Sequence, residues 1–263
     1  MQKFSKTLSI IFLALSAVVL IGLQLKLFGW ILFLAGLISL LFSTKQFRKD
    51  LFLLYISLGL LGITPITTNI SFTHILQMGS LLTLVVAIPY VVSRFVYKDY
   101  LVRFKFHHGR SWYKTEMAYI FFTIFVSYIF LPFALLNTGS YQNWTVEPGL
   151  LYLIVLFIGT QGLGLWDELF FVGAVLGILR RHISFPLANL IQAILWTSFL
   201  YELGFRGWLF IVVFFFALLQ GYIFKKTESL LYIISIHLSL DLVLYLALIY
   251  THHPTWMPIF LIK

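Results

Sequence analysis

Between Leu150 and Leu179 the chain carries only two charged residues, Asp167 and Glu168, and comparable apolar runs recur along most of its length. Such runs are too long, and too poor in alternation, for barrel strands of about 9–11 residues. Every backbone N–H and C=O inside a bilayer needs a partner within the protein, so a continuous apolar run of this length has to be helical. The residues are 61% hydrophobic and 10% charged, with a mean hydropathy of +0.98. A water-soluble domain with that composition would expose a large apolar surface. The fold expected is an all-α, polytopic membrane helix bundle of about 8–9 transmembrane helices.

The spans are read at about 8–25, 28–43, 51–66, 75–96, 117–136, 150–179, 186–203, 205–224 and 229–250. The third is the shortest, because Pro65 truncates it. Lys3 and Lys6 before the first apolar run resemble the start of a secretory signal, but no small-residue cleavage pattern leads into a polar region, so an uncleaved helix is expected. The longest loop, 97–116, interleaves Lys98, Arg103, Lys105, Arg110 and Lys114 with aromatic residues, as suits a segment at the headgroup layer. With the N-terminus inside, fifteen of the 18 Lys and Arg residues fall on the inner side, and only Lys26, Arg206 and Lys263 do not. This asymmetry sets the orientation. It also accounts for the net charge of +9 through anionic headgroups, with no nucleic-acid partner. The absence of cysteine removes thiolate chemistry and Cys-type metal sites. Residues 1–149 are read as scaffold and 150–250 as the core that bears the polar site.

That core holds Asp167, Glu168, Glu202, Arg206, His237 and Asp241 inside otherwise apolar segments. A charge at a helix centre in lipid costs roughly 2.5–3.5 kcal/mol on insertion scales, so these are the candidate functional residues. At ~1.5 Å per residue, Asp167 lies ~20 Å from the inner boundary, and His237 and Asp241 ~12 and ~18 Å from theirs. All three fall in one middle layer. Glu202 and Arg206 come out ~24–27 Å from the inner side, near the outer face. His237 and Asp241, four apart, share one helix face, and Glu202 and Arg206 can pair if their helix continues through Gly204. Asp167 and Glu168 lack a basic residue within one turn and point about 100° apart, so a wide cavity is needed to receive both. The bland readings are structural neutralisation for Glu202–Arg206 and an interhelical tie for His237–Asp241. His107, His108, His252 and His253 are assigned to solvent.

These residues resemble the motifs of the CPBP family, which includes the type II CAAX prenyl endopeptidases and the Abi-type immunity proteins. Its first motif, E-E-x-x-x-R, is resembled by WDELFFVG (166–173), with Asp167 and Glu168 in place of the two Glu and Val172 in place of the Arg. Its third, H-x-x-x-N or the Asp variant, is resembled by His237 and Asp241. The middle His of F-x-x-x-H should fall near Tyr201 or Glu202, where no histidine stands. Glu202 is then expected to take its place, facing the cavity between Glu168 and His237, with Arg206 one turn further out. A rival register makes YELGFRG (201–207) the first motif, but it leaves no third motif after His237.

The resemblance implies an intramembrane endopeptidase, a hydrolase of membrane-associated protein or peptide substrates, in which Asp167 or Glu168 activates a water. His237 would orient that water or stabilise charge, and Asp241 would fix the His237 tautomer. No cofactor is implied; Glu168, His237 and Asp241 are suitable metal ligands by type, but their spacing does not demand a metal. The location implied is a bacterial cell (inner) membrane, with the bilayer itself as partner. Two other classes fit the same residues: a catalytically impaired relative acting as a binding or immunity protein, and a proton-coupled transporter, for which carboxylates and a His at midplane are also expected.

Overall fold

The computed structural model describes residues 2–64, 66–107 and 109–261. Pro65, His108 and Lys263, invoked above, lie outside the described residues. Within these there are nine helices and no strands: α1 Gln2–Gly22, α2 Lys26–Leu41, α3 Lys45–Ile63, α4 Phe72–Val96, α5 Lys114–Thr138, α6 Leu150–Arg180, α7 Phe185–Glu202, α8 Leu209–Thr227 and α9 Leu230–His252. Each expected span corresponds to one of them. Six (α1, α4, α5, α6, α8 and α9) are long and apolar enough to cross a membrane by themselves, while α2 is apolar but shorter.

Consecutive helices run in opposite directions, which gathers the basic turns at one end. There Arg181, after α6, meets Asp50 on α3 and Asp99 in the loop after α4, and Lys105 pairs with Glu228 between α8 and α9. The loop after α4 is tied down by its own backbone, since Leu230 N–H donates to Lys105 O at 2.8 Å and Leu231 N–H to Phe106 O at 3.2 Å. At the opposite end Asn143 Nδ2 donates to Leu203 O at 2.8 Å, and Lys26 Nζ to Gly62 O at 3.2 Å.

Burial separates the helices by role. In α6 72% of the apolar window is buried and in α9 61%, against 28% in α4 and in α8, so α6 and α9 form the axis and α4 and α8 present wide faces outward. Trp166 anchors α6 to α4 by donating from Nε1 to Leu82 O at 2.7 Å. Gly164 lets α6 approach α9, because a Cβ there would collide with the Asp241 carboxylate. The α6 helix is not regular. From Glu168 to Leu176 it widens into a π-helix, as α1 does over Ala17–Gly22 and α4 over Val92–Val96. Such insertions are frequent at functional sites, and this one begins at the acidic pair.

Candidate active site

Asp167 is the last α-helical residue of α6 before its π turn and Glu168 the first residue of that turn, and both are buried. The two acids diverge from this junction. Glu168 turns to the back of His237, with Oε1 3.0 Å from His237 Nδ1. The same oxygen accepts from Gln220 Nε2 on α8 at 2.7 Å. Asp167 instead faces a cavity of about 300 Å³ that it lines together with His237 and Asp241. The adjacent acids therefore serve opposite sides of one imidazole, and no single wide cavity receives both.

His237 sits one helical turn before Asp241 on α9, with Nε2 3.7 Å from Asp241 Oδ1. That separation is too long for a hydrogen bond. The imidazole is clamped between aromatic rings, Trp196 of α7 at 5.4 Å and Phe216 of α8 at 5.3 Å between ring centres. Trp196 is also a neighbour of Asp167. Asp167 Oδ1, Glu168 Oε2 and Asp241 Oδ2 are buried without a hydrogen-bond partner among the described residues. Native buried polar atoms are nearly always satisfied, so such a group of exceptions calls for a ligand, a water or a reactive role. The remaining cavity wall is mostly apolar, with Phe122, Val126, Leu131, Val213 and Leu244 among its side chains and Thr123, Ser127 and Thr160 as polar ones. The expectation that Asp241 fixes the His237 tautomer is corrected here: Glu168 is the carboxylate within bonding distance.

Glu202 and Arg206 are not part of this cluster. They do pair, at 3.7 Å. The condition of a helix continuing through Gly204 is not met, since α7 stops at Glu202 and Gly204 adopts φ +105°. This left-handed turn carries Arg206 outward, leaving its side chain 53% exposed. Both residues line a separate polar hollow, at the end of the bundle away from the basic turns, with Asn69, Asn143 and Glu147. The side chains around the end of α7 that reach the His237 cavity are Leu200 on the helix and Leu203 just after it, one turn or less from Glu202. Glu202 thus does not occupy the place expected of a middle histidine. YELGFRG forms an outer turn, whereas WDELFFVG supplies the acids beside His237.

Sequence reasoning missed Gln220, the only polar residue of the run LFIVVFFFALLQG (209–221). Gln220 carries no ionisable group, and an amide alone in an apolar run is the signal that marks it. Among the other histidines, His107 is exposed, whereas His252 and His253 are half-buried and bonded to Leu248 O and Val146 O. Among the described residues no three His, Cys, Asp or Glu side chains are placed to hold a metal ion. The set Glu168, His237 and Asp241, suited by ligand type, spans opposite faces of the imidazole rather than converging on one point.

Residues 147–243 match the family model described as Rce1-like, type II CAAX prenyl endopeptidase. No curated protein and no solved structure matches the chain significantly. The matched stretch runs from just before α6 into α9 and contains all six candidate residues. It supports the resemblance to the CPBP and CAAX proteases and, at the level of the family, an endopeptidase acting on a peptide or protein substrate. With six membrane-length apolar helices, the chain is an integral membrane protein.

Proposed function

On the premise that residues 147–243 form a CAAX-protease-type core, we propose that the protein is an intramembrane endopeptidase that hydrolyses peptide bonds in membrane-associated substrates. The observation that carries this reading is the buried imidazole with a carboxylate behind it and two more in front, opening on an apolar cavity. The apolar wall receives a lipid-embedded part of the substrate, and the polar end meets its scissile bond. Asp167 takes a proton from a water that His237 Nε2 orients, and the resulting hydroxide attacks the carbonyl carbon. Asp167 then returns the proton to the leaving nitrogen as the C–N bond breaks, so one water is consumed and a carboxylate and an amine are released. Asp241 shares the charge of the water site, and Glu168 holds His237 in orientation as the buried acid does in catalytic triads. Glu202 and Arg206 shape the outer hollow and take no part in proton transfer.

A non-catalytic binding relative is the second reading. One observation favours it: among the described residues the cavity presents a single imidazole, with Leu200 and Leu203 where the end of α7 meets it. Cleavage of a membrane-anchored reporter by the full-length protein in liposomes separates the two. The hydrolytic reading expects cleavage by the wild type and a loss of about 10²–10⁴-fold in His237→Gln, with the variant still folded. Reporter that binds but is never cut would favour the binder.

A further inference from the structure

The buried amide of Gln220 needs an explanation, because α8 is one of the least buried helices and is otherwise apolar around this position. Its Nε2 has two acceptors, Glu168 Oε1 at 2.7 Å and the main-chain oxygen of Ile233 at 3.2 Å. A main-chain carbonyl can only accept, so the nitrogen is the end that faces Ile233 and, with it, Glu168. Ile233 lies one turn before His237 on α9. One side chain of α8 therefore joins the π turn of α6 to the turn of α9 that bears the imidazole.

The consequence falls on Glu168. Its Oε1 faces two nitrogens, Gln220 Nε2 and His237 Nδ1, while Oε2 has no partner among the described residues. With only His237 as partner, the carboxylate could turn about its last bond and exchange its oxygens. The Gln220 donor removes that freedom and favours the acceptor form of Oε1. An acceptor held at Nδ1 keeps the proton of a neutral imidazole on Nδ1 and leaves the Nε2 lone pair directed at the cavity.

We infer that Gln220 is a positioning residue that acts through Glu168 to fix the tautomer of His237. Its catalytic consequence rests on the hydrolytic reading above, but the tautomer can be observed without any turnover. The test uses the full-length protein in lipid nanodiscs with ¹⁵N-labelled histidine, at a pH at which the His237 imidazole is neutral. The His237 signals are assigned by their loss in His237→Gln. The wild type is expected to carry its proton on Nδ1. Gln220→Met, unbranched and close in shape, should shift His237 toward the Nε2-protonated form and slow reporter cleavage about 10–100-fold. Gln220→Leu removes the donor with a different shape and should do the same.

Retention of the Nδ1 proton in the folded Gln220 variants would overturn the inference, even if their cleavage slowed, since the amide would then be only structural. A tautomer shift in a wild-type background that cuts no reporter would uphold the role of Gln220 and reject the hydrolytic reading. Cleavage by the wild type with no tautomer shift in the variants would do the reverse.

Discussion

The molecule holds two buried clusters of carboxylate and imidazole, one at the basic end and one in the middle of the bundle, and they are built on opposite principles. At the basic end Asp50 is fully buried on α3, and both of its oxygens are engaged. Oδ1 accepts from Gln46 at 2.9 Å; Oδ2 lies 2.7 Å from His182 Nε2 and 3.4 Å from Arg181. Arg181 continues to Asp99 at 3.0 Å, so a cation sits between the two acids. In the middle cluster three acids surround one histidine, and among the described residues no Arg or Lys is bonded to them and each acid keeps one oxygen without a partner. The first arrangement is what buried charge needs in order to be stable. The second leaves polar atoms open to a cavity, which is the arrangement chemistry requires and stability does not.

Removing an acid from each cluster should therefore have opposite effects. Asp50→Ala leaves His182 without its buried acceptor and Arg181 with Asp99 alone, and should lower the unfolding free energy by about 1–3 kcal/mol, read from thermal or denaturant unfolding in detergent. An unfolding midpoint equal to the wild type would break the contrast. The pair Glu202–Arg206 lies between these extremes. Arg206 is 53% exposed, so Glu202→Ala should cost no more than about 1 kcal/mol, solvent screening included. A loss as large as that of Asp50→Ala would mean that the outer hollow is a closed core.

The smallest effect is expected at Asp99, outside the membrane spans. Burial works to raise its carboxyl pKa, but the Ser93 hydroxyl, the Leu101 N–H and the Arg181 guanidinium outweigh it and hold the group below the ordinary value. A carboxyl depressed in the folded state stabilises the fold above its unfolded pKa, about 3.9. That contribution disappears as the pH falls through the lower folded value. Asp99→Asn should thus be slightly less stable than the wild type at neutral pH, and the two unfolding curves should converge in acid. A difference that widens in acid would contradict the sign of the shift.

The helices were legible because each is an apolar run bounded by basic or turn-forming residues, and lipid leaves such a run no other backbone conformation. The meeting of Asp167 with His237 and Asp241 was legible from depth alone, since helices of known direction place residues at comparable heights. Three features were not. The π widening at Glu168 changes how far adjacent side chains diverge, and ELFFVGAVL has no composition that marks it. Gln220 carries no charge, so a reading based on the cost of ionisation passes over it. The tie of Asp50 to His182 joins positions 132 residues apart, and nothing local to either residue announces it. The break at Gly204 falls between the spans read at 186–203 and 205–224, while the left-handed φ that turns Arg206 away from the cavity appears only in the backbone.

The central claim is that the middle cluster is kept for reaction rather than for stability. Its most direct test is Asp167→Asn, with unfolding temperature and reporter cleavage measured on the same preparation in liposomes. The expected result is an unfolding temperature equal to or above that of the wild type, as relief of an unsatisfied buried acid predicts, with cleavage reduced by about 10²–10⁴-fold. A variant that cleaves at the wild-type rate while unfolding at markedly lower temperature would contradict the claim and make the middle cluster a structural one, like that of Asp50.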